Sequence, residues 1–342
     1  MQSHGALMKS KLGRVLAYAW RGVPSGYGTS ALARCLLVAG GTAAPVIGGA
    51  VLLDRLGKGV RTAPRDAMIS LSAPPEHLGM AFGVHRALDT TGALLGPLIA
   101  FVILAATPAA YGTVWMASLC AALIGLAIIT LFVREPRPRT RAAHDPAPRV
   151  GELVRTVTRE RRIRRLVAIA IVLGVTGTSD AFVYLALRDQ AGVSAAAFPL
   201  LFLGTALVYM SLAVPCGRLA DRVGRGRTFL AGSALMVAVE LTLLVTPGTG
   251  LGTIVLAIAL LGAYYASTDG VLAALASESL TERVRGTGLS VIGTGASVAK
   301  LFGSILFGIL WTTAGLQAAL VWFVIAGVAA LALSAALLRA HD

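Results

Sequence analysis

The sequence has little charge and few cysteines. Asp, Glu, Lys and Arg make up 13% of its 342 residues, against about 25% in soluble proteins. Hydrophobic residues make up 56%. A soluble protein of this length has no interior large enough to hide so much apolar surface, so the composition excludes soluble domains and predicts an all-α protein in a bilayer. The three cysteines lie in apolar stretches, which excludes a disulfide-rich secreted scaffold.

Motifs for enzyme chemistry are missing as well. The sequence has no Gly-x-x-x-x-Gly-Lys-Ser/Thr phosphate loop, and its five histidines show no metal-ligand spacing. It also has no clustered nucleophile and base. We therefore predict that the chain is not an enzyme and uses no cofactor and no metal. The formal charge of +14 could indicate a nucleic-acid partner, but the distribution of the basic residues points to a membrane surface and to no nucleic acid.

Long apolar stretches dominate the chain. A membrane helix needs about 20 mostly apolar residues. Nine stretches satisfy this requirement: 19–40, 80–104, 111–133, 166–187, 196–216, 228–246, 251–276, 286–311 and 316–338. A tenth, 43–53, covers only about 16 Å as a helix, so it must extend into the residues that follow.

The extension is a two-sided helix, predicted over residues 46–72. Its apolar stripe recurs at steps of three and four residues: Leu53, Leu56, Val60, Ala63 and Ala67. Its other face is charged: Asp54, Arg55, Lys58, Arg61, Arg65 and Asp66. This face cannot contact lipid, so it must line protein or a watery cavity. Because it is net positive, it favours an anionic or zwitterionic substrate. The alternative is a cytoplasmic loop after a short span.

Ten spans place both termini on the same side of the membrane. Outside the spans, Lys and Arg concentrate in segments on that side, and Arg188 is the one basic residue predicted on the other. The positive-inside rule makes the rich side cytoplasmic. The sequence therefore predicts a multi-pass protein of the cell inner membrane, with both termini in the cytoplasm.

The chain divides at a basic, proline-containing linker, residues 134–165. This linker is either a helix lying on anionic lipid headgroups or a solvated connection between bundles. The segments 71–83 and 277–290 resemble each other on either side of it, and internal repeats of this kind are typical of secondary transporters. The predicted domains are a four-helix bundle at 1–133, the linker, and a six-helix bundle at 166–342.

One cytoplasmic segment, residues 217–227, carries a family signature. It resembles the loop motif of the major facilitator superfamily at the following positions: Gly217, Leu219, Ala220, Asp221, Arg222, Gly224, Arg225 and Arg227. A second likeness is the exporter pattern Gly-x-x-x-Gly-Pro, matched by Gly92, Gly96 and Pro97, although Ala100 and Phe101 depart from it. We expect these three residues to mediate helix packing.

The resemblance implies a fold, an activity and a gate. It implies two pseudo-symmetric helix bundles of the major facilitator type, with ten transmembrane helices as four plus six, in a monomer. The first two helices of the family are then absent, and a lateral gap is expected beside 46–72 and 80–104. It also implies a cytoplasmic gate made of Gly217, Asp221, Arg222, Gly224 and Arg225. Asp221 is expected near residues 79–83, where free N–H groups of a helix start attract a carboxylate.

Charged residues inside spans are the candidates for substrate and proton coupling. Asp180 and Lys300 each lie about 21 Å from the cytoplasmic end of their spans, at ~1.5 Å per residue. They form a candidate ion pair, with a transport role and simple helix packing both open. Asp269 and Asp89 are further candidates. Glu240 is expected to be protonated or packed in a peripheral helix, and Arg34 has no assigned role. A carboxylate in a low-dielectric cavity can load and release a proton near neutrality.

Together with these residues, the resemblance implies a secondary transporter that works by alternating access, with proton-coupled export of a small molecule. The alternatives are a non-transporting membrane scaffold or sensor, and an inactive truncated permease. Transport by the chain in proteoliposomes, with and without a proton gradient, distinguishes them.

Overall fold

The computed structural model describes most of the chain as helix. The described residues are 23–41, 43–107, 110–132, 151, 155, 159–191, 193, 198–246, 250–280 and 285–339, without the side chains of 63, 191 and 199. Most of the predicted linker 134–165 lies outside them, as do the predictions for residues 1–22.

Eleven helices occupy these described residues. They are α1 (residues 23–40), α2 (Ala44–Ser72), α3 (Leu78–Ala106), α4 (Tyr111–Phe132), α5 (Arg161–Thr176), α6 (Asp180–Ala191), α7 (Phe198–Val223), α8 (Arg225–Val245), α9 (Leu251–Ser279), α10 (Arg285–Ala314) and α11 (Leu316–Arg339). The described residues contain no strand, which confirms the all-α prediction.

Eight spans in the described chain are long and apolar enough to cross a membrane, with α5 and α6 counted together as one. This confirms a multi-pass membrane protein. Helices α1 and α2 are not among the eight, although both were predicted to cross. The count of ten, as four plus six, stays a prediction.

Helix α2 forms over the charged sequence that could have been a loop. It runs from Ala44 to Ser72 and includes Pro64, so the loop alternative is wrong and the predicted helix over 46–72 is confirmed. Leu52 and Leu56 on its apolar side are 62% and 57% exposed. A bilayer is the solvent in which such side chains are stable.

The predicted continuous span 166–187 is broken. Helix α5 ends at Thr176, Gly177 has extended backbone with φ −90° and ψ 128°, and α6 begins at Asp180. The prediction missed this break because the segment contains no proline, the usual sequence sign of an interrupted helix. Asp180 therefore stands at a helix start rather than in the middle of a helix.

The chain contains two compact units. The first comprises Met1–Ser72, Gly92–Arg149 and Thr281–Gly286, and the second comprises Ala73–Thr91, Val150–Leu280 and Thr287–Asp342. In the second unit, α9 packs mainly on α7 and α8, and α11 packs on α8 and α5. The predicted domain boundaries stay a prediction.

Candidate transport site

A polar cluster lies inside the second unit, formed by α6, α7, α9 and α10. Lys300 of α10 places its ammonium 5.8 Å from the ring centroid of Tyr264 and 5.4 Å from that of Tyr265. Asp180 and Asp269 are both within electrostatic range of this ammonium. The structure therefore brings three of the predicted site residues together.

The direct Asp180–Lys300 ion pair was not found. No described carboxylate lies within 4.0 Å of the Lys300 ammonium, and the cation rests over two tyrosine rings instead. The faces of aromatic rings attract cations, and a desolvated contact of this kind is worth about 2 kcal/mol. The equal depth of Asp180 and Lys300 correctly predicted that they lie in the same region. It could not predict the tyrosine rings that contact the lysine.

Helix α7 connects this cluster to the beginning of α3. The ring of Tyr209 lies 5.9 Å from that of Tyr265, and its hydroxyl contacts the Asp269 carboxylate. Arg86 and Asp89 of α3 are within electrostatic range of the same Tyr209 hydroxyl. Asp89, also predicted as a site residue, is therefore at the edge of the cluster.

A cavity of about 1020 Å³ lies between α6 and α10, next to the cluster. Its walls include Phe182, Trp311, Ser304, Arg188 and Asp189. Ser304 stands one helical turn beyond Lys300 and donates a hydrogen bond to the Lys300 carbonyl at 2.8 Å. The cavity thus has aromatic side chains, one arginine, one aspartate and one hydroxyl in its walls, close to the predicted coupling residues.

The charged face of α2, in the first unit, packs partly on α1. Arg34 donates to Asp54 at 2.6 Å, and Arg61 donates to the Ser30 hydroxyl at 2.6 Å. The Arg61 guanidinium also stacks 4.5 Å from the ring centroid of Tyr27. This face lines protein at these positions, as predicted, because its cations find oxygen and ring partners there.

The rest of that face is divided between exposed and locally paired cations. Arg55 and Lys58 are exposed. Arg65 pairs with its neighbour Asp66 at 3.0 Å. Of the four predicted basic site residues, Arg55 and Lys58 are therefore exposed. The other two, Arg61 and Arg65, bond to other side chains of the protein.

Asp221, near the end of α7, holds the start of α3. Its two carboxylate oxygens accept hydrogen bonds from the backbone N–H groups of Gly79 and Met80, each at 2.8 Å. Free N–H groups and the positive end of the helix dipole make a helix start a good anion site. The contact predicted between Asp221 and residues 79–83 is present.

Arg225 completes this contact. It pairs with Asp221 at 2.8 Å and with Glu278 at 3.2 Å, and it donates to the carbonyl of Pro75. Arg222, predicted as the partner of Asp221 in the gate, is exposed instead. We call the set of Asp221, Arg225, Glu278 and the first turn of α3 the latch.

Helices α3 and α7 approach each other backbone to backbone beneath the latch. A Cβ built on Gly79 would overlap the Gly217 carbonyl oxygen, and one built on Gly217 would overlap that of Gly79. One turn further, a Cβ on Gly83 would overlap the Ala213 carbonyl. Gly224, also predicted in the gate, has φ +112° at the turn before α8, a conformation that favours glycine.

The glycines predicted for helix packing have a different environment. A Cβ built on Gly92 or Gly96 would meet nothing within 4 Å, and Pro97 is exposed. This face of α3 is open among the described residues, and its packing role stays a prediction.

Sequence reasoning missed the tyrosines of the site. The chain has seven tyrosines, and three of them, Tyr209, Tyr264 and Tyr265, stand in the cluster. A phenol inside an apolar span is a usable signal, because its hydroxyl needs a polar partner when buried. The pairing of Arg34 with Asp54 had a similar signal, since charges in two consecutive spans need each other.

Comparison with known proteins identifies the family. The family model described as the Major Facilitator Superfamily matches residues 19–205 and 166–342. The chain belongs to this superfamily. It is 29% identical over 296 residues to an uncharacterized major facilitator transporter of Methanocaldococcus jannaschii, covering 84% of this chain and 70% of that protein.

Two solved structures of the superfamily have the same fold. The human organic anion transporter aligns with a TM-score of 0.75 at 15% identity, over 96% of this chain and 83% of that one. The Escherichia coli fucose:proton symporter aligns with a TM-score of 0.74 at 13% identity, over 96% and 87%. This major facilitator protein is thus a multi-pass membrane transporter of the secondary type rather than an enzyme, and its partner is a small molecule.

Proposed function

We propose that this major facilitator protein exports a small molecule in exchange for protons by alternating access. The observation that carries the proposal is the polar cluster inside the membrane-spanning helices. Ionisable residues are costly in hydrocarbon and mark substrate and proton pathways in membrane proteins. Asp180, Asp269 and Lys300 meet there with three tyrosine hydroxyls close by.

Asp180 and Asp269 are the proposed proton carriers. Neither is within ion-pairing distance of a cation in the described chain, so neither carboxylate is committed to a fixed charge partner. Lys300 supplies a permanent positive charge that each can approach or leave as the site changes shape.

The substrate we propose is anionic or zwitterionic, with an apolar part. Arg55 and Lys58 on α2 are exposed cations, and Arg188 lines the α6–α10 cavity. Phe182 and Trp311 offer an aromatic wall for the apolar part. The human protein that shares this fold is an organic anion transporter, which agrees with this class.

Asparagine substitutions test proton coupling. We expect Asp180→Asn and Asp269→Asn each to reduce substrate-driven proton flux at least about tenfold, because an amide cannot carry a titratable proton. The substrate is found first by a thermal-shift screen of the purified chain, and flux is then read from a pH-sensitive dye inside proteoliposomes. Gln190→Ala, outside the cluster, serves as the control. Unchanged flux in both Asn variants would remove the coupling role.

Thiol accessibility tests the charged face of α2. We expect Lys58→Cys to react at least about tenfold faster than Leu56→Cys with a water-soluble maleimide, because charged side chains in spans face water or protein rather than lipid. Both positions are exposed on one helix, so the two variants are matched. Labelling of Lys58→Cys only by a lipid-dissolved reagent would show that the face does not line an aqueous path.

The latch is the proposed cytoplasmic gate. Asp221 binds the start of α3 and pairs with Arg225. Gly217 allows the two backbones to approach, and Gly224 allows the turn before α8. We propose that this contact closes the cytoplasmic side and breaks when that side opens. We propose that Arg222, which is exposed, contacts the cytoplasm or anionic headgroups. The further proposals are a monomer in the cell inner membrane, with both termini in the cytoplasm and the linker 134–165 between two bundles.

A scaffold or sensor is the second candidate function. It would use the same charged residues for ligand binding or helix packing, without carrying protons. The two functions differ in one measurement: a ligand that raises the unfolding temperature but drives no proton flux and crosses no proteoliposome membrane indicates a sensor.

A further inference from the structure

Glu240 is a fully buried carboxylate with no place in the proposed pathway. It is 0% exposed and lies on α8. Its Oε1 accepts hydrogen bonds from the backbone N–H of Thr178 at 3.1 Å and from the Thr178 hydroxyl at 2.8 Å. Thr178 stands in the break between α5 and α6, so a side chain from another helix is attached to the point where this span is interrupted.

A helix break inside a membrane needs such a partner. The first N–H groups of a helix have no acceptor within the helix, and hydrocarbon supplies no water to take their place. The backbone carbonyl of Ser179 accepts hydrogen bonds from the N–H groups of Phe182 and Val183. Glu240 accepts the N–H of Thr178, one residue earlier, and so satisfies a donor that the local backbone does not.

Helix α8 lies along the whole break. A Cβ built on Gly177 would be 3.7 Å from the Cγ of Met236, one turn before Glu240. The second carboxylate oxygen of Glu240 has no hydrogen-bond partner in the described chain, and it would lie 3.8 Å from a Cβ on Gly327 of α11. The carboxylate is therefore enclosed on one side by the break and on the other by α11.

The break determines where Asp180 stands. Asp180 is the first residue of α6, two residues beyond Thr178, and it is within electrostatic range of Lys300. A shift in the backbone at Thr178 moves the start of α6 and hence this carboxylate. Without Glu240, the Thr178 N–H would have to find another acceptor by rotating the break.

We propose that Glu240 is a positioning residue that fixes the break and thereby holds Asp180 in the polar cluster. This inference rests on the proposed function insofar as Asp180 belongs to the transport site. Glu240 itself contacts neither Asp180 nor Lys300 and acts through Thr178.

Cysteine labelling tests this role without a known substrate. In a chain with Cys35, Cys120 and Cys216 replaced by serine, Asp180→Cys is labelled with a water-soluble maleimide in proteoliposomes. We expect Glu240→Leu to change this labelling rate at least about tenfold. Glu240→Gln keeps an oxygen that accepts both Thr178 hydrogen bonds, so we expect its rate to stay within about threefold of the parent.

Arg222→Cys, an exposed position at the end of α7, is the matched control. Its labelling rate should not respond to either Glu240 variant, whereas general loss of structure would change both rates. Thr178→Val removes only the hydroxyl donor and provides a milder variant if Glu240→Leu does not fold. Hydrogen exchange over residues 176–183 is the second measurement, and we expect it to accelerate in Glu240→Leu.

The inference is overturned if Glu240→Leu changes neither the labelling rate of Asp180→Cys nor hydrogen exchange over residues 176–183. So would a Glu240→Gln chain that behaves like Glu240→Leu, since a retained acceptor would then have no effect. If labelling responds as expected but Asp180→Asn leaves proton flux unchanged, the positioning role stands and the coupling role fails.

Discussion

Asp221→Ala is expected to raise the labelling rate of Cys216 by a water-soluble maleimide at least about tenfold. Asp221 accepts hydrogen bonds from Gly79 and Met80 and pairs with Arg225. Hydrogen bonds to a charged group are worth about 1.5–3 kcal/mol each, and about 1.4 kcal/mol changes an equilibrium tenfold. Loss of the carboxylate should therefore shift the latch strongly toward its open form.

Cys216 is a suitable reporter because it directly precedes Gly217, where α3 and α7 touch. Its sulfur lies 3.4 Å from the Ser267 hydroxyl, and the side chain is half-buried. Cys35 and Cys120 are exposed and are replaced by serine beforehand. Arg222→Ala, an exposed neighbour outside the latch, is the control and should leave the rate unchanged. A parental rate in Asp221→Ala would mean that the contact does not restrain this end of the molecule.

Gly217→Ala is the second variant with a large expected effect, this time on stability. The added methyl group would overlap the carbonyl oxygen of Gly79, which is backbone and cannot rotate away. Overpacking of this kind costs about 1–3 kcal/mol, occasionally more. We expect a lower unfolding temperature in detergent and faster labelling of Cys216, because α3 and α7 must separate to admit the methyl group.

Gly96→Ala is the matched control for this experiment. It adds the same methyl group within a membrane helix, but a Cβ there would meet nothing within 4 Å. Since alanine favours a helix over glycine by about 1 kcal/mol, this variant should be as stable as the parent or more so. The crowding argument fails if both glycines respond to alanine in the same way.

The general architecture could be predicted from the sequence because a bilayer imposes strong rules. Span length and the spacing of charges on α2 each follow from one physical requirement. The Asp221 contact could be predicted for a similar reason: a carboxylate at the end of a membrane helix has few acceptable partners, and the start of another helix is one of them. The structure places Asp221 at Gly79, within the predicted range of 79–83.

The details that were missed depend on distant residues. The break at Gly177 has no proline to mark it, and it is stabilised by Glu240, some sixty residues later in the chain. The Lys300 ammonium lies over the rings of Tyr264 and Tyr265. Counting residues from the end of a span gives the depth of Lys300 but does not show these neighbours. Arg222 and Arg225 are both arginines close to Asp221 in sequence, so the sequence alone does not show which of them pairs with it. The direction of the helix that follows Gly224 brings Arg225 to Asp221.

The glycine crossing has a consequence for how the latch responds to temperature. Gly79 and Gly217 have no rotamers, so bringing them together involves no loss of side-chain entropy. The charge-assisted hydrogen bonds of Asp221 add an enthalpic contribution to this contact. The disorder of a separated α3 start opposes that contribution more strongly as temperature rises. Warming should therefore release the start of α3 from α7 well below the temperature at which the helices themselves melt.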